Sequence, residues 1–198
     1  KPITLGPLTL SNRILMGSMH TGLEEAKDGF KALARFYAER AKGGVGLIVT
    51  GGISPNRRGA LQPGGAKLTS RRQVKDHSLI TDAVHKEGGK ICLQILHGGR
   101  YCYHPFNVGP LNIKAAINRF SPRSLSTRGV RKTVRQYSEC AVLAKEAGYD
   151  GIEIMGSEGY LINQFLVTAT NKRTDTYGGS FENRMRFALE IIQSIREK

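Results

Sequence analysis

The sequence predicts an α/β protein, a TIM (β/α)8 barrel of which about the first four βα units are present. Three observations carry this reading. Short, continuous apolar runs alternate with longer segments of helical periodicity, the pattern of strands and helices taking turns. Long irregular stretches follow the C-terminal ends of the apolar runs, which is where a barrel assembles its active site. No GxGxxG follows the first run, which counts against a doubly wound dinucleotide-binding sheet.

The elements follow in order. Residues 12–16 (NRILM) read as a short strand, ended by Gly17 and Ser18. Apolar positions recurring at Phe30, Leu33, Phe36, Tyr37 and Ala41 predict an amphipathic helix over 30–42, stopped by Gly43 and Gly44. The run 45–50 (VGLIVT) has the unbroken apolar character of a strand buried on both faces. A loop rich in Gly, Pro and Arg then leads to a second helix over 76–87, with Leu79, Ile80, Ala83 and Val84 as its expected apolar face. Residues 90–96 (KICLQIL) are the third strand. The stretch 97–128, with Pro105, Pro110 and Pro122, is too long for a plain connection and is expected to be functional or lid-forming. Val134, Tyr137, Ala141 and Ala144 mark a helix over 129–147, residues 151–155 (GIEIM) the fourth strand, and Met185, Ala188, Ile191, Ile192 and Ile195 a last helix over 181–198.

A complete barrel has eight strands and usually about 250 residues, so the 198 residues here are expected to form the N-terminal half of one domain. The hydrophobic and charged fractions, 39% and 23%, are those of a globular protein and exclude a disordered or collagen-like chain. No segment approaches the roughly 18 apolar residues of a membrane span. Three widely spaced cysteines, Cys92, Cys102 and Cys140, with no CxxC, suggest neither a disulfide framework nor a metal site and fit a reducing compartment, cytoplasmic in a bacterium or the mitochondrial matrix in a eukaryote. The net charge of +14 suits an anionic metabolite or solvation; the basic residues are scattered, with no nucleic-acid motif.

On a barrel, residues at the C-terminal ends of the strands are the site candidates: Gly17, Ser18, Met19 and His20, then Gly51 and Gly52, then Gln94 and His97, then Glu158 and Tyr160. Small residues let a flat ligand approach backbone amides. Gln94 offers a donor and an acceptor to the edge of a heterocycle, and a neutral tyrosine can give a proton to a developing carbanion. Each has a plainer alternative. Glycines after strands ordinarily mark turns, His20, His97 and Tyr160 can be satisfied structural groups, and methionines ordinarily belong to the core.

Three stretches together resemble a known family. They are 94–100 (QILHGGR), 159–166 (GYLINQFL) and 171–187 (NKRTDTYGGSFENRMRF), and they look like the signature of the Old Yellow Enzyme family of FMN-dependent ene-reductases. The segments 16–25 (MGSMHTGLEE) and 155–160 (MGSEGY) are more narrowly similar to the bacterial-type 2,4-dienoyl-CoA reductases. Where most family members carry a pair of carbonyl-gripping His or Asn residues, this chain has Met155 and Glu158, a departure that favours the dienoyl-CoA branch. A buried Glu158 would be expected to have a raised pKa.

The resemblance implies FMN on the C-terminal face, with Ser18, Met19 and His20 lining the isoalloxazine, Gly52 approaching it and Gln94 on its pyrimidine edge. It implies Tyr160 as the proton donor when an activated C=C bond takes up hydride from flavin N5, and Ala169, Thr170, Asn171 and Lys172 as a stretch meeting an acyl-CoA substrate. NADPH, FAD and a 4Fe–4S cluster would be bound by segments outside these residues, and no metal ligand is assigned within them. The isolated 198-residue chain is expected to bind FMN weakly or not at all, because the flavin phosphate loops follow strands seven and eight. The competing reading is a non-enzymatic basic half-barrel acting in an assembly or on nucleic acid.

Overall fold

A computed structural model describes residues 1–198. The chain is α/β. It opens with a hairpin, β1 (Ile3–Leu5) and β2 (Leu8–Leu10), antiparallel in the register Ile3 to Leu10. Gly6, at φ 58°, makes the turn possible. Three-residue strands give too short a period to stand out from the sequence.

Next come β3 (Leu15–Met16), α1 (Gly29–Lys42), β4 (Leu47–Ile53), α2 (Arg71–Lys86) and β5 (Ile91–Ile95). They are followed by the small strands β6 (Val108–Gly109) and β7 (Arg123–Ser124), then α3 (Thr127–Glu146), β8 (Gly151–Ile154), α4 (Leu161–Leu166) and α5 (Phe181–Arg196). The main sheet has the order β3-β4-β5-β8, with β3 and β4 parallel. The expected strand over 12–16 shortens to β3 because the Asn12 side chain accepts from Ile14 N and donates to Gly44 O, holding a turn there.

Two compact units divide the chain. The first comprises residues 1–53, 70–94 and 142–153. Its β4 and β5 are buried almost throughout, as their unbroken apolar sequence requires. Leu10 of the hairpin packs with Leu47, Val49 and Cys92. Helix α1 buries Leu33, Ala34, Tyr37 and Ala41 and packs on α2. Gly89 is required below this contact, since a Cβ there would lie 2.6 Å from that of Ala41.

Helix α2 departs from its expected face. It begins at Arg71, and its buried stripe is His77, Ile80, Thr81 and Val84, whereas Leu79 is exposed. The spacing i, i+3, i+4, i+7 is regular, but two of its members are polar and so invisible to an apolar count. Thr81 Oγ1 donates to Ala147 O at 2.5 Å, and His77 Nδ1 lies 3.0 Å from the Tyr149 hydroxyl, so both bury with partners.

The second unit comprises residues 54–69, 95–141 and 154–198. Its core is aromatic: the Phe165 and Phe187 rings lie 4.4 Å apart, and Tyr137 and Tyr177 pack edge-on to one or the other. Ser180 caps α5, its hydroxyl accepting from Asn183 N. Phe187 and Ile191 form the buried face of α5, and Ile192, expected there, is exposed. No helix in either unit is long and apolar enough to cross a membrane.

Candidate functional site

In the first unit, β3 delivers Gly17, Ser18, Met19 and His20 to its C-terminal end, all exposed. Gly51 and Gly52 lie near the end of β4. A Cβ on Gly51 would fall 2.6 Å from Glu24 Oε1 and 2.9 Å from Met19 O, so this glycine admits the segment after β3 close to the strand. Gly51 N donates to the Tyr37 hydroxyl at 3.1 Å, and burial pushes that phenol up to about 12. Gln94, on β5, is buried; its backbone N donates to Thr50 Oγ1 at 3.0 Å and its Nε2 to Glu153 Oε1 at 2.7 Å.

His20 is held by carboxylates, with Nε2 3.1 Å from Glu25 and Nδ1 3.9 Å from Glu24. The three residues bring ligand-capable atoms within 4.8 Å of one another. Glu24, however, already accepts from Thr21 N and Thr21 Oγ1, so the cluster reads as an internal anchor for the segment after β3.

These residues fit the flavin that the resemblance implies. An exposed hydroxyl and imidazole at 18 and 20, a half-buried glycine at 52 and a buried amide at 94 form a set of donors and acceptors for the polar edge of a flat heterocycle.

In the second unit, Tyr160 precedes α4, half-buried and edge-on to Tyr101 at a ring separation of 6.1 Å. Burial first, and the Glu158 carboxylate second, push its phenol above the ordinary tyrosine value. Glu158 is exposed, contrary to the expected buried acid, and is held at φ 58°, with Gly159 at φ 78°. This left-handed pair aims the chain at Tyr160, and only glycine is tolerated at 159, where a Cβ would meet the Tyr101 ring at 2.6 Å.

A residue with no role assigned from sequence fastens the turn. Gln164 is almost completely buried, accepts from Arg100 N at 3.1 Å and donates to Gly159 O at 2.7 Å and Gly98 O at 3.3 Å. Leu161 N donates to His97 O at 2.9 Å beside it. The one available signal was the place of Gln164 within the 159–166 motif.

The stretch 169–172 is divided. Ala169 and Lys172 are exposed. Thr170 Oγ1 instead donates to Gln164 O at 2.7 Å, and buried Asn171 donates to Phe165 O and Tyr177 O at 2.7 and 2.8 Å. The side chains of Thr170 and Asn171 are thus turned into the chain. Next to them, Arg173 bonds Asp175 through both Nε and Nη2, and Thr127 donates to the same carboxylate at 2.8 Å. The Arg173 contact holds the Asp175 carboxyl down to about 2, from an ordinary 3.8.

That depression has a sign. A lowered folded-state pKa adds stability above the ordinary value and loses it as pH falls through the folded one. Thermal melts of the wild type are therefore expected to lose stability between about pH 4 and pH 2, while Asp175→Asn melts vary less across that interval. Equal slopes in the two proteins would remove Asp175 from the acid response.

The family model for "NADH:flavin oxidoreductase / NADH oxidase family" matches residues 1–198. The chain is 40% identical over 200 residues to a metal reductase of Desulforamulus reducens and 38% identical over 210 residues to a cinnamate reductase of Clostridium sporogenes, covering 99% and 100% of this chain. Among solved structures it is 30% identical, with a TM-score of 0.91, both to morphinone reductase in complex with tetrahydroNAD and to 2-naphthoyl-CoA reductase in complex with 2-naphthoyl-CoA, each covering 100% of this chain. It spans only part of these proteins: 30% and 32% of the two relatives, and 60% and 33% of the two solved chains. With its whole length matched and its α/β fold shared, the chain belongs to the NADH:flavin oxidoreductase family, that of the Old Yellow Enzymes.

Proposed function

We propose that the protein carrying this chain is an FMN-dependent, NAD(P)H-linked oxidoreductase that reduces an activated C=C bond, with a 2,4-dienoyl-CoA thioester as substrate. The observation that carries the reading is Tyr160, a half-buried phenol held protonated well into the alkaline range and fixed on a turn that only glycine at 159 permits. The cinnamate and 2-naphthoyl-CoA named for two similar proteins are both conjugated acids or thioesters, which supports the substrate class. In this reading, residues 1–198 are the N-terminal half of an FMN-binding barrel domain, four βα units long.

Bound FMN would supply the hydride. Ser18, Met19 and His20 would hold its ring system, Gly52 would leave room for it, and Gln94, whose Nε2 donates to Glu153, would meet its polar edge. Tyr160 holds a proton on its hydroxyl and delivers it to the substrate carbon next to the one that receives hydride. Met155 and Glu158 stand where other family members grip a carbonyl, so the thioester is held differently here. Exposed Ala169 and Lys172 are the members of their stretch that reach substrate, while Thr170 and Asn171 shape the loop behind them.

FAD and a 4Fe–4S cluster, as electron carriers in other segments, belong to the dienoyl-CoA reading. No cysteine of this chain is assigned to the cluster: all three are buried free thiols, and burial pushes Cys92 up to about 11 and Cys102 and Cys140 up to about 12. Free cysteines also suit a reducing compartment. Anaerobic NADPH oxidation by the full-length flavoprotein tests the proposal, with a 2,4-dienoyl-CoA, the corresponding free acid and cinnamate compared. Faster turnover of the dienoyl-CoA is expected; preference for cinnamate would redirect the substrate assignment, and no C=C reduction at all would overturn it.

A further inference from the structure

The second unit contains a cavity of about 250 Å³ that the proposed flavin and proton-donor residues do not line. His97 forms part of its wall and is almost completely buried. Its Nδ1 accepts from Gly99 N at 3.1 Å, which leaves the ring hydrogen on Nε2, and Nε2 has no partner within the chain. Burial holds the imidazole down to about 3, so the ring is neutral at physiological pH and presents one N–H donor. A buried donor without an acceptor is costly and marks a place where an acceptor belongs.

The rest of the wall is cationic. Arg57 and Arg58 enter from the loop after β4, and Lys132 from the first turns of α3, where Gly129 also lines the cavity. None of the three cations forms an ion pair, and no Asp or Glu lines the cavity. The N-terminal end of α3 adds the positive end of its dipole. A second cavity of about 450 Å³ shares Arg57 and is walled by Pro63, Pro105 and Phe106, with the Arg57 guanidinium 5.7 Å from the Phe106 ring centre.

We infer that the His97 cavity binds a phosphate monoester, with His97 Nε2–H donating to one phosphate oxygen and Arg57, Arg58 and Lys132 neutralising its charge. The neighbouring cavity gives the organic body of the ligand an apolar wall and a cation beside an aromatic ring, which suits a nucleotide. The 3′-phosphate of a coenzyme A, the 2′-phosphate of NADPH and free phosphate share this chemistry; only the choice of the first rests on the proposed substrate.

Calorimetric titration of the flavin-loaded, full-length protein separates these sources. Inorganic phosphate, coenzyme A against dephospho-coenzyme A, and NADP+ against NAD+ are the probes, with acetate as the control anion. One phosphorylated member is expected to bind about tenfold or more tightly than its dephosphorylated partner, and that preference is expected to vanish in Arg58→Ala/Lys132→Ala, whose changed side chains are exposed. In the unmodified protein, the His97 Nε2–H resonance should move with the same ligand. Phosphate preference alone, without either pair, assigns the site to free phosphate. Equal binding within both pairs together with no phosphate binding, acetate binding as well as phosphate, affinities for all of the probes unchanged by the double substitution, or an unmoved His97 resonance would each overturn the inference, and none of these depends on turnover.

Discussion

Tyr160→Phe in the full-length flavoprotein is expected to slow C=C reduction by about 10²–10⁴-fold, the usual worth of a positioned general acid. The fold should be unaffected. The Tyr160 hydroxyl makes no hydrogen bond within the chain, so its loss strands no buried partner, and the phenyl ring still packs edge-on to Tyr101. With the phenol acting on the substrate carbon, as proposed, the loss should fall on kcat with substrate affinity nearly unchanged, and NADPH-driven bleaching of the flavin should keep its rate. The pH profile gives a second readout. Burial and the Glu158 carboxylate both raise the Tyr160 pKa, so the acid form persists past the ordinary tyrosine value near 10 and activity declines only above it. Glu158→Gln removes the second cause and should move that alkaline limb downward. Turnover of the Phe variant at the wild-type rate would take the proton-donor role away from Tyr160.

The parts of this architecture legible in the sequence are those in which one physical cause dominates. Strands β4 and β5 are buried on nearly all sides, so their composition is apolar without interruption, and the glycines at 43, 44 and 88 end the helices before them. The positions at the C-terminal ends of the strands were nominated on topology alone, since a barrel collects those positions whatever their spacing in the chain. What stayed hidden depends on pairing. His77 and Thr81 look like surface residues of α2 until Tyr149 and Ala147, some seventy positions away, supply their partners. Asn171 looks like a ligand contact until its amide is found bridging the Phe165 carbonyl of α4 and the Tyr177 carbonyl. In the same way, His97 reads as a strand-end site residue, yet what distinguishes it is a nitrogen left unpartnered in a cationic cavity whose walls come from well-separated stretches of the chain.

Gln164→Leu is the substitution expected to do most damage away from the reacting atoms. Leucine has nearly the same volume, so packing around residue 164 survives, but Arg100 N, Gly98 O and Gly159 O lose their partner together. Leaving such groups unpaired costs about 1–3 kcal/mol each where they are buried, less where water reaches them; a net loss of about 2–4 kcal/mol is expected, lowering the thermal midpoint by about 5–15 °C for a protein of this size. Gly99 gives the Gln164 side chain its room, since a Cβ there would lie 2.4 Å from Gln164 Oε1. The functional consequence follows from the same bonds. Gly159 O is the carbonyl immediately before Tyr160, and Gln164 N donates to the Tyr160 carbonyl at 2.9 Å, so Tyr160 is fastened from both sides of its own peptide. Freed on one side, Tyr160 should sample orientations in which its hydroxyl misses the substrate carbon, and kcat should fall about tenfold or more at temperatures where the variant is still folded, with KM changing little. Gln164→Glu supplies the discriminating control: a carboxylate can still accept from Arg100 N but cannot donate to Gly159 O, so partial recovery is expected only as pH falls and the side chain regains its proton. A variant that loses stability yet keeps its kcat would make Gln164 a structural tie with no hold on Tyr160.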